Sequence, residues 1–152
     1  MITLHLEFIF ELTCELAPAL EIGATPEGFR RVVPIISGTF EGPLLRGVVL
    51  PGGADWQIVR PDGVTELQAR YVLRTHEGVL IQVRNRGLRH GTPEVLARLA
   101  NDETVDPSEY YCRTTPIFEA PAGPYEWLNR YIFVATAARL PLSIRLRFFR
   151  VA

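Results

Sequence analysis

At 152 residues, with 47% hydrophobic and 22% charged side chains, the chain is sized for a single globular domain over residues 1–152, and its composition is neither disordered nor membranous. A net charge of -1 offers no footprint for nucleic acid or an anionic membrane surface, and no apolar run approaches the roughly 20 residues of a spanning helix. All 16 basic residues are arginine, which excludes Schiff-base chemistry on a lysine.

The first residues, Met1-Ile2-Thr3-Leu4-His5, lack the basic and apolar regions of a secretory signal, so a cytoplasmic location is expected. Leu4, Leu6, Phe8, Phe10, Leu12 and Cys14 then alternate with Thr3, His5, Glu7, Glu11 and Glu15. That period of two predicts a long strand buried on one face. Pro18 ends it, and 21–28 reads as loop from its Gly and Pro content. Phe29 to Ile36 feeds the next strand, with Gly38 and Gly42 where a curved sheet needs bulges or bends.

Two strand patterns follow, Leu44 to Leu50 and Asp55 to Arg60, joined at Pro51-Gly52-Gly53 in what reads as a hairpin and closed by a Pro61-Asp62-Gly63 turn. Leu67 to Thr75 and Val79 to Asn85 are further strands about the tight turn His76-Glu77-Gly78. One helix near residues 93–101 interrupts the series: Thr92 is the N-cap, Pro93 the first helical residue and Glu94 lies in the first turn. Tyr110 to Phe118, Trp127 to Thr136 and Ser143 to Val151 complete the strands, with turns at 120–124 and 137–141. With a single helix available for crossovers the sheet must be antiparallel. About eight to ten strands in so small a domain favour a closed or nearly closed all-β barrel, which removes exposed edges.

A barrel mouth is a common place for a small ligand. Asp55 and Trp56 follow the Gly-Gly turn, and Tyr71 lies on the neighbouring strand. Arg113 and Glu119 are evenly spaced on one strand, as are Trp127 and Asn129 on the next, so these four could line one cavity wall. A carboxylic acid beside aromatic rings would have a raised pKa suited to general acid or base work. An arginine opposite would clamp a carboxylate or enolate, and Tyr71 and Asn129 would donate to an oxyanion. Each has a plainer reading. Asp55 caps the turn, the two tryptophans fill the core, Arg113 and Glu119 form a salt bridge or stand in solvent, and Tyr71 is a core residue with its hydroxyl at the rim.

No nucleophile elbow, phosphate loop or dinucleotide fingerprint is present. Cys14 and Cys112 form no metal or redox pattern, and His5, His76 and His90 have no i, i+4 partner. Neither a cofactor nor a metal is expected. The expected partner is a small molecule, and an apolar outer face on the Phe148-Phe149 strand would suit a homodimer.

The blocks G-T-F-E-G-P-x-L-R-G-V-V-L-P-G-G-A-D-W-Q, R-P-D-G, A-R-Y-x-L-x-T, R-T-x-P-x-F-E and Y-E-W-L-N-R-Y-I-F-V-A, spread from about Arg30 to Val151, resemble the domain of unknown function 3237 family. The resemblance implies an antiparallel barrel similar in outline to those of allene oxide cyclase and dirigent proteins. It implies no activity for the family as a whole. Asp55, Trp56, Arg70, Tyr71, Arg113, Glu119, Trp127 and Asn129 fall on matching motif positions. Gln68 and His76 depart from it, each standing where the family pattern has an Asp.

These features suggest a cofactor-independent cyclase, isomerase or lyase acting on a small aromatic or polyketide-like compound. Asp55 or Glu119 would be the acid/base and Arg113 the clamp, with Trp56, Tyr71, Trp127 and Asn129 binding substrate. The alternatives are a non-catalytic binding barrel, or a structural barrel filled by its own aromatic rings.

Overall fold

The computed structural model describes all 152 residues. Ten strands run β1 (Leu6–Leu16), β2 (Leu20–Thr25), β3 (Gly28–Glu41), β4 (Arg46–Val49), β5 (Ala54–Val59), β6 (Thr65–Thr75), β7 (Leu80–Gly91), β8 (Tyr110–Glu119), β9 (Phe133–Leu140) and β10 (Ser143–Val151). Helix α1 (Pro93–Ala100) and the 3-10 turns 107–109 and 126–130 complete the chain. Every pairing is antiparallel, in the order β1-β10-β9-β8-β7-β6-β4-β3, and a β1–β3 ladder closes the ring. The all-β barrel expected from the alternation is therefore present.

The strand count is eight around the ring, because β4 and β5 share one place in it. Both pair with β3 on one side and with β6 on the other. They run end to end, so Pro51-Gly52-Gly53 does not make the hairpin expected from its composition. It is an interruption within one strand line, and Leu50 N–H to Val72 O and Ile35 N–H to Gly53 O carry the backbone bonding through it. Such an insertion bends a strand. Asp55, six residues after the buried Val49, keeps the inward parity through it.

Other boundaries differ from the sequence reading as well, and β7 runs on to Gly91 where the strand was expected to end at Asn85. Residues 20–25 form strand β2, not a loop. Leu20 and Ile22 are exposed on it, so burial imposes no alternation there. The strand expected from Trp127 begins only at Phe133, since Glu126–Arg130 is a 3-10 turn that buries Leu128 in the barrel end. Strand β9 also runs on to Leu140 where a turn was expected, because Ala137 and Arg139 stay in register with Leu146 and Ile144.

Helix α1 begins as expected, with Thr92 Oγ1 accepting the Val95 N–H, and buries Val95 and Leu99. With Val105 it sits over the end where β7 stops and β8 starts. The opposite end is packed solid. Phe10, Phe40, Phe118, Phe133 and Phe148 meet with ring centroids 4.4 to 5.9 Å apart. That plug leaves one half of the barrel for polar groups.

Candidate functional site

The ladder register sets the site. Val33, Asp55, Ala69 and Asn85 lie in one row across β3, β5, β6 and β7. Arg31 and Gln57 begin the next row, and Arg89 and Cys112 occupy the one nearer α1. All of these belong to the inward-facing parity. Between the Asp55–Ala69 and Ile58–Glu66 pairs the β5–β6 ladder is open. The Gln68 N–H donates across this gap to Asp55 Oδ1 at 2.9 Å. Gln57 Nε2 donates to Asp55 Oδ2 at 2.8 Å, and Gln57 Oε1 accepts from Arg31 Nη2 at 2.7 Å. The arginine thus fixes which way the Gln57 amide points, and Gln57 in turn fixes the carboxyl.

Asp55 is half-buried by surface area, yet protein atoms crowd it, and this burial raises its pKa above the ordinary 3.8. The bonds from Gln57 and Gln68, and the charges of Arg89 and Arg139, oppose the rise without cancelling it. Burial likewise raises the Tyr71 phenol far above its usual range and pushes the thiols of Cys14 and Cys112 up to about 12 and about 11. Both cysteines are free and buried. Their thiols stay protonated at neutral pH and are inert as nucleophiles.

A partly enclosed cavity of about 50 Å³ lies among these groups, lined by Asp55, Gln57, Tyr71, Asn85, Arg89, Thr114 and Arg139 together with apolar side chains of β1, β9 and β10. On the lining residues Tyr71 Oη, Asn85 Oδ1, Thr114 Oγ1 and Arg89 Nε are buried with no hydrogen-bond partner, and so is Arg31 Nε, outside the lining. Polar atoms in a folded interior are nearly always paired, so a group of unpaired ones around one cavity points to a ligand. A larger groove, about 910 Å³, crosses the outer face past Trp56, Arg86, Leu88 and Arg113. It is open, and none of those unpaired atoms except Thr114 belongs to a residue lining it. Unsatisfied polar atoms, in a cavity less open than the groove, make the interior the stronger site.

The other residues singled out from the sequence do not join Asp55 and Tyr71. Arg113 and Glu119 do share a face, as their even spacing implied, but it is the outer one: both are exposed, while Cys112 before them and Thr114 and Phe118 between them point inward. Arg113 lies over the Tyr111 ring and donates to Cys112 O. Trp56 is 49% exposed on the outer surface. Trp127 and Asn129 belong to the 3-10 turn at the far, phenylalanine-filled end. Trp127 packs on Phe133 beneath the Arg150 guanidinium. Asn129 is a structural clamp, its amide accepting from Ala120 N–H and donating to Ala120 O, each at 2.8 Å. The expectation that these four line one cavity wall is therefore corrected. Asn129→Ala is expected to lower stability by about 1–2 kcal/mol through those two unpaired backbone groups, measured by urea unfolding with wild type alongside.

Gln57, Asn85, Arg89, Thr114 and Arg139, with Arg31 holding Gln57, are the site residues that sequence reasoning missed. Carrying the inward parity of Ile81 and Val83 past Asn85 reaches Arg89, and carrying that of Ala135 and Ala137 reaches Arg139. No group of three or more His, Cys, Asp or Glu side chains in the molecule could hold a metal ion.

Residues 4–151 match the family model described as "protein of unknown function (DUF3237)". The chain is 41% identical over 150 residues to a UPF0311 protein of Clostridium acetobutylicum, covering 98% of this chain and 95% of that one. It superposes on the crystal structure of a Rhodopseudomonas palustris protein of unknown function with a TM-score of 0.96, at 38% identity and with 100% of both chains covered. A Penicillium herquei protein described as an enzyme gives a TM-score of 0.74 at 19% identity, covering 100% of this chain and 97% of that one. At that identity the likeness concerns the fold.

Proposed function

The chain belongs to the DUF3237 family, and within that fold we propose that it is a small-molecule enzyme of the isomerase, cyclase or lyase type, with Asp55 as its proton-transfer group. The observation that carries this reading is the carboxyl itself: Asp55 is held by Gln57 and Gln68 in a cavity lined by Tyr71, Asn85 and Thr114, whose buried oxygens have no partner. A proton transfer beside a carbonyl needs an acid/base and a holder for the developing oxyanion, and nothing more.

Each Asp55 oxygen accepts one bond and keeps a further lone pair. The carboxyl can therefore take up a proton on its cavity side without releasing Gln57 or the Gln68 N–H. Its raised pKa keeps it basic enough to draw a proton from a carbon next to a carbonyl and return it elsewhere. The buried Tyr71 phenol stays protonated and acts as a donor. Arg89 and Arg139 offset negative charge on the substrate oxygen, the part assigned to Arg113 from sequence. The fold accommodates an enzyme in Penicillium herquei. A cavity of about 50 Å³ has room for a few water-sized groups, each needing roughly 10–15 Å³ of such space. It takes a compact carbonyl compound and not the aromatic ring system suggested by the sequence.

The test is hydrogen–deuterium exchange at the activated carbon of small carbonyl compounds in D2O, followed by NMR. The wild-type protein is expected to accelerate exchange, and Asp55→Asn to slow it by roughly 10²–10⁴-fold. The rate should climb with pH through an apparent pKa above 3.8, since the basic form is the deprotonated one and burial outweighs the Gln57 and Gln68 bonds and the charges of Arg89 and Arg139. Undiminished exchange in a folded Asp55→Asn protein removes Asp55 from the chemistry.

A further inference from the structure

Three arginines enter the polar half of the barrel, from β3, β7 and β9, against a single interior carboxyl. Arg89 is 8% exposed and takes part in none of the ion pairs of the molecule. Its Nε has no partner, and neither has that of Arg31. Only Arg139 meets a carboxylate, Asp102 on the connection after α1, at 3.4 Å. The arginines are close enough for their charges to disfavour one another. Burial first, then the neighbouring Arg89 charge, lowers the Arg31 pKa; burial and Arg89 also lower that of Arg139. A guanidinium does not shed its proton in a protein. The excess positive charge persists in a place where unpaired charge is costly.

The remaining lining bears on what kind of anion fits. Besides its polar groups the cavity is walled by Leu12, Ala137, Ile144 and Leu146, a surface suited to carbon and ill suited to a fully hydrated oxyanion. We propose that the polar half of the barrel binds a compact organic carboxylate, with Arg89 and Arg139 taking the acid group, Arg31 adding positive charge from behind Gln57, and Ala137, Ile144 and Leu146 contacting its short carbon chain. This rests on the reading of the cavity as a substrate site and narrows the substrate to a small carboxylic acid bearing a carbonyl. The guanidinium forks match the two oxygens of a carboxylate, and the acid group neutralises part of the excess charge.

The experiment is thermal unfolding of the full chain at fixed ionic strength with acetate, pyruvate, acetamide or inorganic phosphate. Acetate and pyruvate at 100-fold their Kd are expected to raise the wild-type midpoint by roughly 5–10 °C, and acetamide, the neutral isostere of acetate, to leave it unmoved. Arg89→Met removes an unpaired buried charge at similar length. It is expected to melt above wild type without ligand and to lose the acetate and pyruvate shifts, while Arg113→Ala, on the outer face, keeps them. Failure of both acids to move the wild-type midpoint overturns the proposal. So does an acetate shift that survives in Arg89→Met, or a phosphate shift as large as that of the acids. The proton-transfer reading is separable. Carboxylate binding that depends on Arg89, without exchange chemistry, sinks that reading and keeps the acid site. Exchange on neutral carbonyl compounds without carboxylate binding does the reverse.

Discussion

Phe10→Ala is expected to lower the unfolding free energy by about 3–5 kcal/mol and the thermal midpoint by roughly 10 °C or more. Phe10 is fully buried and is the ring on which the plug is built, stacked on Phe148 at 4.4 Å and touching Phe40 at 5.3 Å and Phe118 at 5.9 Å. These neighbours stand on β10, β3 and β8. The void would therefore lie between strands fixed by closed ladders and could not collapse cheaply. Trp56→Ala is the matching control. Its ring is larger but 49% exposed, so its loss should cost less than about 1 kcal/mol. Equal effects in the two variants would mean that the phenylalanine cluster is not the core of this barrel.

The plug also explains why the fold was legible and the site only partly so. Alternation of apolar side chains reports burial, and it was clear in β6, β8 and β10 and in β1 from Phe10 onward, because their inward positions pack against other apolar groups. Leu4, Leu6 and Phe8, expected on the buried face, are exposed and Ile9 is buried instead, since a bulge between Phe8 and Phe10 shifts the register. In β7 the inward series runs Ile81, Val83, Asn85, Gly87, Arg89, and the change to polar residues marks the passage from plug to cavity. Read residue by residue, that change looks like the end of a strand. The same happens on β9, where Arg139 follows Phe133, Ala135 and Ala137, and on β3, where Arg31 shares the parity of Val33 and Ile35. A polar residue at an inward position of a barrel strand is thus better evidence for a site than a polar residue beside a turn. Arg113 and Glu119 failed on this ground: their even spacing was read correctly, but Cys112, Thr114 and Phe118 held the inward parity. Trp127 and Asn129 failed for another reason, since a 3-10 turn and a strand present similar short apolar patterns. Asp55 and Tyr71 were found because the Gly-Gly interruption flags one and the β6 alternation the other.

Gly53→Val is expected to cost about 3 kcal/mol and, more tellingly, to undo the Asp55 site. A Cβ at position 53 would meet Arg70 O at 2.5 Å and Tyr71 Cβ at 2.7 Å. Both belong to β6, whose backbone is bonded to β7 along its length, so β5 rather than β6 must give way. Asp55 lies two residues on and would be drawn from the Gln68 N–H. That amide reports directly: its hydrogen exchange should be slow in wild type and markedly faster in Gly53→Val. Gly52→Ala separates crowding from backbone strain. Gly52 has φ +102° with nothing within 4 Å of an added Cβ, so alanine there meets only the conformational penalty of roughly 1–2 kcal/mol and should leave the Gln68 amide protected. If Gly53→Val kept that protection, the close approach of β5 to β6 would not be what aims Asp55 inward. The orientation would then come from Gln57 and Arg31 alone, and Gln57→Leu would be the variant to release the carboxyl.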